Sequence, residues 1–225
     1  MDSVPAPSNR AASVRVAVAQ GVALGAIGLL VYVRALSAGF LYDDHHQILA
    51  NRWLTSFANI PAIFTSNVWA FEGGHSNYYR PLMHLIYLVT YRLAGARPWP
   101  FHLVNMVFHA GASIVVLALV RRLVIQDGGR SPWLALPFLA AVVFAVHPIH
   151  TEPVIWIAGL PDLSFAFFFL LALLLFDLAA ERPNPTPAAV LAALSSFAAL
   201  LSKEPAILLP FALLALDVAR GRRRP

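Results

Sequence analysis

Residues 16–33, VAVAQGVALGAIGLLVYV, decide the class of fold: the run carries a single amide, Gln20, and no charge. A helix needs about 20 mostly apolar residues to cross the hydrocarbon layer, where its backbone N–H and C=O groups have only each other as partners. The run exceeds the apolar core of a secretory signal, so an uncleaved signal-anchor helix over 14–36 is expected, although Ala35-Leu36-Ser37-Ala38 offers small residues for cleavage.

The rest of the chain repeats this pattern. It is 59% hydrophobic and only 12% charged, against a charged fraction of roughly 25% in soluble domains. Further blocks at 102–120, 132–147, 163–180, 187–202 and 205–219 are apolar enough to span. The expected architecture is an all-α membrane protein, a polytopic helical bundle of about six transmembrane helices over residues 14–219. Residues 1–13 are polar and Pro-bearing and read as a disordered cytoplasmic tail, and 220–225 as a basic cytoplasmic end.

The formal charge of +5 comes from Arg beside helix ends: Arg10 and Arg15, then Arg121, Arg122 and Arg130, then Arg182, then Arg220, Arg222, Arg223 and Arg224. Basic connections thus alternate, as the positive-inside rule requires for a cytoplasmic N-terminus, and a nucleic-acid partner is not expected. The absence of Cys excludes disulfides and thiolate chemistry.

The segment Pro81 to Gly95, PLMHLIYLVTYRLAG, is apolar but short and holds His84 and Arg92. A span there would invert every downstream Arg cluster, so it reads as a helix in the interface or buried against the bundle. The first external loop then runs from 37 to 101. Its Trp53, Trp69, Tyr78, Tyr79, Tyr87, Tyr91 and Trp99 are the side chains of headgroup-level segments, and two or three short helices are expected there.

On this topology all eight His fall on the external side, with Asp43, Asp44, Glu72, Arg80, Glu152, Asp162, Lys203 and Glu204. Ionisable groups at membrane depth are costly unless they face an aqueous cavity, so a shared external cavity is expected. Asp43-Asp44 can divide labour as general base and acceptor or ligand, although an isolated acidic pair reads first as an N-cap. Tyr78-Tyr79-Arg80-Pro81 sets a guanidinium beside aromatic rings, an arrangement suited to a phosphate. His102, Asn105 and His109 recur at spacings of three and four and share one helix face. His147, His150, Glu152 and Asp162 form an imidazole and carboxylate group whose spacing matches no zinc signature, so no metal or other cofactor is expected, a divalent ion being the alternative. Lys203, beside Glu204, is the single lysine among the 16 basic residues. Its turn can contact a phosphate. The cavity lining is expected to comprise His45, Tyr79, His102, Asn105, His109, His147, His150, Glu152, Asp162 and Glu204.

Five stretches, FLYDDHHQILAN, YYRPLMHLIY, FHLVNMVFHAG, HPIHTEPVIWIAGLPDLSFAFFFLLALLLF and LLSKEPAILLP, stand in this order over roughly residues 39–210. Together they resemble the membrane part of the GT-C superfamily of polyprenyl-linked sugar transferases. The likeness is strongest to the transmembrane and TPR repeat-containing O-mannosyltransferases and their bacterial relatives. The resemblance implies a long external loop with an acidic catalytic motif, here Asp43-Asp44. It implies donor-phosphate contacts from Arg80 and Lys203, and a polyprenyl-phosphate-sugar donor in the bilayer. It further implies transfer with inversion of a sugar, mannose in the named family, to a hydroxyl of a protein or glycan acceptor. Family members are substantially longer, so a truncated gene, a fragment or a half-size protein is expected. The Arg-, Ala- and Leu-rich composition suggests a bacterial inner membrane with a periplasmic active face. The rival classes are a transporter or flippase with a proton relay, and a non-catalytic scaffold.

Overall fold

The computed structural model describes residues 7–125 and 136–221; Arg130, Asp127, residues 1–6 of the expected tail and residues 222–225 of the basic end lie outside them. All regular structure among the described residues is helical. The helices are α1 (Pro7–Val31), α2 (Ile60–Thr65), α3 (Pro81–Ala94), α4 (Pro98–Ile125), α5 (Leu136–Val146), α6 (Thr151–Ile155), α7 (Leu160–Glu181), α8 (Thr186–Ser202) and α9 (Leu209–Ala219). Helix α1 begins at Pro7, inside the stretch read as a tail.

Proline sets most of the starts. Pro81, Pro161 and Pro187 sit in the first turns of α3, α7 and α8, where a missing N–H costs nothing and the fixed φ already suits the helix. Helix α3 ends at Gly95, whose φ of +71 is open to glycine and whose N–H closes on Tyr91 O at 2.7 Å.

Three helices among the described residues are long and apolar enough to cross a membrane, within Val14–Val31, Pro98–Val124 and Ile157–Glu181. Helix α5 and the segment Pro148–Ile155, bent by 44° at His147-Pro148, make a fourth if they form one span. The last two expected spans correspond to α8 and α9, which are shorter at 17 and 11 residues. The surface is apolar where the spans lie: Val18, Val22 and Leu30 of α1 and Phe211, Leu214 and Val218 of α9 are all more than half exposed. Water would penalise such a face, whereas hydrocarbon does not. This is an integral membrane protein.

Helix α4 is the central element, packed against α1, α5 and α7, while α7 also carries α8 and α9. Residues 37–97 carry the short helices α2 and α3 within one packed layer. Ile48, Trp53, Leu54, Ile63, Val68, Phe71, Met83, Tyr87 and Leu88 share one core with Phe101, Ile157 and Leu160 of the bundle. Helix α3 buries Met83, His84, Tyr87 and Leu88 and leaves Val89 and Leu93 exposed, so it lies against the bundle with one face free. Tyr87 Oη donates to Ile157 O at 2.8 Å, pinning this layer to the turn that precedes α7. Each fully buried large apolar side chain here contributes about 1.5–3 kcal/mol.

At the far end of α7 the fully buried Asp177 accepts from Arg122 and, through both oxygens, from Arg220, while Arg122 also holds Glu181 at 2.6 Å. These contacts join α4, α7 and the end of α9. Asp177 lies 15 residues, about 22 Å of helix, from Asp162, so the two ends of the bundle carry separate polar clusters.

Candidate active site

The acidic pair follows a backbone constraint. Tyr42 has φ +45, a left-handed conformation that is uncommon for a non-glycine residue and concentrates at functional sites. The kink sends Asp43 and Asp44 to different surroundings. Asp44 is fully buried, with Oδ2 accepting from Leu41 N at 2.9 Å and Oδ1 from Ala158 N at 2.8 Å. It therefore clamps the chain after α1 to the turn before α7, and it does not cap the helical turn 45–49 that follows it. Burial pushes its carboxyl above the usual carboxylate range; the two backbone donors oppose the shift without reversing it.

Asp43 is half-buried and lines a cavity of about 460 Å³ with Leu41, Tyr42, Thr151, Glu152, Ile155 and Trp156. Its carboxylate makes no hydrogen bond or ion pair among the described residues. The pair thus consists of one carboxylate committed to the backbone and one open to a ligand.

Asn105 reinforces the same turn from α4. Its Nδ2 donates to Trp156 O at 2.8 Å and lies within 3.2 Å of Pro153 O. Gly159 is required where this turn folds back on itself: a Cβ there would meet Pro153 O at 2.5 Å.

A second cavity, of about 370 Å³, lies next to the first and shares Glu152 and Trp156 with it; His109, Phe144, His150 and Asp162 complete its polar and aromatic walls. His109 Nε2 lies 2.9 Å from Ala145 O, and its ring sits 5.1 Å from that of His150. Asp162 pairs with Lys203. The neighbouring Glu204 receives Arg80 bidentately, at 3.2 Å from Nε and 3.1 Å from Nη2, and the Arg80 guanidinium lies 4.6 Å from the centre of the Tyr78 ring. Partial burial pushes the Glu204 carboxyl up, but the Arg80 hydrogen bonds and the nearby positive charges bring it below its ordinary value. One continuous polar track therefore runs from Asp43 through Glu152 and Asp162 to Lys203, Glu204 and Arg80.

The chain resembles the mouse (Mus musculus) protein O-mannosyl-transferase TMTC2, with 36% identity over 67% of this chain and 18% of the relative. It is 33% identical to Drosophila melanogaster protein O-mannosyl-transferase Tmtc2 over 87% of this chain and 21% of that protein. Against the human (Homo sapiens) protein O-mannosyl-transferase TMTC4 the identity is 32%, over 72% and 23%. Over two thirds or more of its length the chain is homologous to protein O-mannosyl-transferases. It spans about a fifth of the length of these relatives. No family model matches it, and no solved structure does.

In this chain the expected cavity residues divide. His109, His150, Glu152 and Asp162 converge as the sequence suggests. His102 and Asn105 share their helix face but stand behind the cavity wall, fully buried, because Asn105 is consumed by the 153–157 carbonyls and His102 faces the backbone of Ala38, Gly39 and Ile155 near Asp44. His45 is exposed and lines neither cavity, and Tyr79 Oη donates to Phe64 O at 2.8 Å within the loop layer. His147 Nδ1 accepts from Ile149 N at 3.2 Å, making it a cap of the turn 148–150. Among the described residues no three His, Asp or Glu side chains converge as metal ligands. Trp156 and Phe144, which supply the aromatic walls, were not picked out from the sequence. The signal available for Trp156 was its place in HPIHTEPVIWIAGLPD, between a Pro-broken helix and the start of α7.

Proposed function

We propose that this chain carries the sugar-transfer centre of a protein O-mannosyl-transferase. It would move a sugar, mannose by the names of its relatives, from a polyprenyl-phosphate donor to a protein hydroxyl at the external face of the membrane. The observation that carries the reading is the division of the acidic pair: Asp44 has both oxygens committed and no exposure, whereas Asp43 opens into a cavity with its carboxylate unpartnered among the described residues.

Asp43 is then the general base. It accepts the proton of the acceptor hydroxyl as that oxygen bonds to the anomeric carbon. The bond from that carbon to the phosphate oxygen breaks, its electron pair leaving with the polyprenyl phosphate, and Asp43 later returns its proton to water. Asp44 acts as a positioning residue, holding Asp43 against the 153–159 turn. Arg80 and Lys203 receive the departing phosphate. Both are now paired with carboxylates in partly exposed ion pairs, a class that contributes only about 0–1 kcal/mol each, so a dianionic phosphate exchanges readily with Glu204 and Asp162.

The alternation of Arg-bearing connections supports a cytoplasmic N-terminus and a site on the opposite face, periplasmic or lumenal. The relatives named above are animal proteins, which favours the lumenal alternative over the bacterial one. The proposal is tested by reconstituting the chain with labelled mannosyl-phosphoryl-polyprenol and a Ser/Thr-rich peptide. Label should appear on the peptide with inverted anomeric configuration. Label that stays entirely in lipid sinks it.

A further inference from the structure

The cavity of about 370 Å³ beside Asp43 seats neither the proton acceptor nor the phosphate of the steps above. We infer that it is the sugar site: that it holds the pyranose ring of the donor, an uncharged polyol, between the phosphate cation Lys203 and the base Asp43. The assignment rests on the glycosyl-transfer reading and names the groups that recognise the sugar.

Connectivity is the first argument. Asp162 borders this cavity and is ion-paired with Lys203. Glu152 and Trp156 border both this cavity and that of Asp43. A ring seated here therefore neighbours the phosphate-binding cation through Asp162 and the base through Glu152 and Trp156. Displacement with inversion needs that order, because the nucleophile enters on the face opposite the leaving group.

The wall chemistry is the second. Every sugar hydroxyl donates one hydrogen bond and accepts others, so its site needs donors and acceptors together. Glu152 and Asp162 are acceptors. Trp156 Nε1–H is a donor that is buried without an acceptor among the described residues. An orphaned buried N–H is costly, and a turn of the indole that opens Nε1 to the cavity would give it a ring hydroxyl as its partner. Phe144 and Trp156 add aromatic surface for the C–H face of a pyranose.

Size and charge narrow the ligand further. The volume is near the lower end of the roughly 300–1,000 Å³ typical of small-molecule sites, suited to one ring and not to a polyprenyl chain. In the unliganded protein Asp162 is paired with Lys203, so Glu152 is the one carboxylate of the walls without an ion pair among the described residues, and a cation would find no second one.

The test is binding by the full chain in nanodiscs, comparing mannosyl-phosphoryl-polyprenol with polyprenyl phosphate, which lacks the sugar. Wild type should prefer the mannosylated lipid. Trp156→Phe preserves the aromatic shape and the backbone carbonyl held by Asn105 but removes the Nε1–H; Glu152→Gln removes only charge. Each should reduce the preference about three- to tenfold, the worth of one hydrogen bond, and leave affinity for polyprenyl phosphate unchanged. Asp43→Asn should keep the preference while losing turnover. Equal affinity of wild type for the two lipids, or an unaltered preference in both Trp156→Phe and Glu152→Gln, overturns the sugar-site assignment. Preference that falls in the variants while wild type transfers no sugar supports the cavity assignment and counts against the transfer reading alone.

Discussion

Acidification should unlatch the layer that carries Arg80, through His84. The ring is 1% exposed and lies edge-on to Trp53 and Phe71. Its Nε2 is 3.1 Å from Val68 O and its Nδ1 3.3 Å from Asn51 Nδ2. Asn51 cannot turn to offer its oxygen, because Oδ1 accepts from Trp53 N at 2.9 Å and Nδ2 donates to Gln47 O at 3.0 Å. The network therefore assigns Nε2–H as donor and Nδ1 as acceptor, which only neutral imidazole provides. Burial lowers the pKa of His84 from 6.5 to about 4. The unfolded chain then binds a proton near 6.5 that the folded chain refuses until about 4, so stability rises with pH across this window. The contribution is complete above 6.5 and is lost as pH falls through about 4. At 1.36 kcal/mol per pH unit the loss comes to about 3 kcal/mol. Thermal unfolding in detergent, followed by tryptophan fluorescence between pH 7 and 4, measures it. Trp53, with its ring 5.2 Å from that of His84, is a local reporter. His84→Gln keeps a donor and an acceptor but does not titrate, so its melting temperature should fall less steeply over the window than that of wild type. Parallel profiles for the two proteins would refute the reasoning.

Two further outcomes separate the site from its supports. Gly159→Ala places a methyl 2.5 Å from Pro153 O and 2.6 Å from its Cα, so the turn that presents Ala158 to Asp44 shifts. A stability loss of about 1–3 kcal/mol should accompany reduced transfer per folded molecule, read by melting and turnover together. Asp177→Ala leaves Arg122 and Arg220 facing each other at the far end of α7. It should cost roughly 3–5 kcal/mol in unfolding assays while transfer per folded molecule holds.

The class of fold was legible in the apolar blocks because lipid rewards surfaces that water forbids: the blocks at 102–120 and 163–180 fall within two of the three long apolar helices, and that at 14–36 overlaps the third, which ends at Val31. The packing of α3 against the bundle is one of the two placements that its short length, His84 and Arg92 allowed. His109, His150, Glu152 and Asp162 were legible as a group because they interrupt or flank apolar helices toward one end of the bundle, where a polar side chain has few other uses. What the sequence concealed depends on distant backbone. Asp43 and Asp44 are identical side chains on adjacent residues, and one of the two N–H groups that separate their roles, that of Ala158, lies 114 positions away from Asp44. Asn105 shares a helix face with His109, yet its partners are carbonyls of a turn about 50 residues later. Arg80 and Glu204, 124 positions apart, carry no local sign of one another.

The division of the acidic pair is tested most directly by transfer per folded molecule for Asp43→Asn and Asp44→Asn beside wild type, with melting temperatures recorded on the same preparations. Loss of a general base costs about 10²–10⁴-fold. Asp43→Asn should lose turnover on that scale at an unchanged melting temperature, whereas Asp44→Asn should melt earlier. Undiminished turnover in Asp43→Asn would contradict the account.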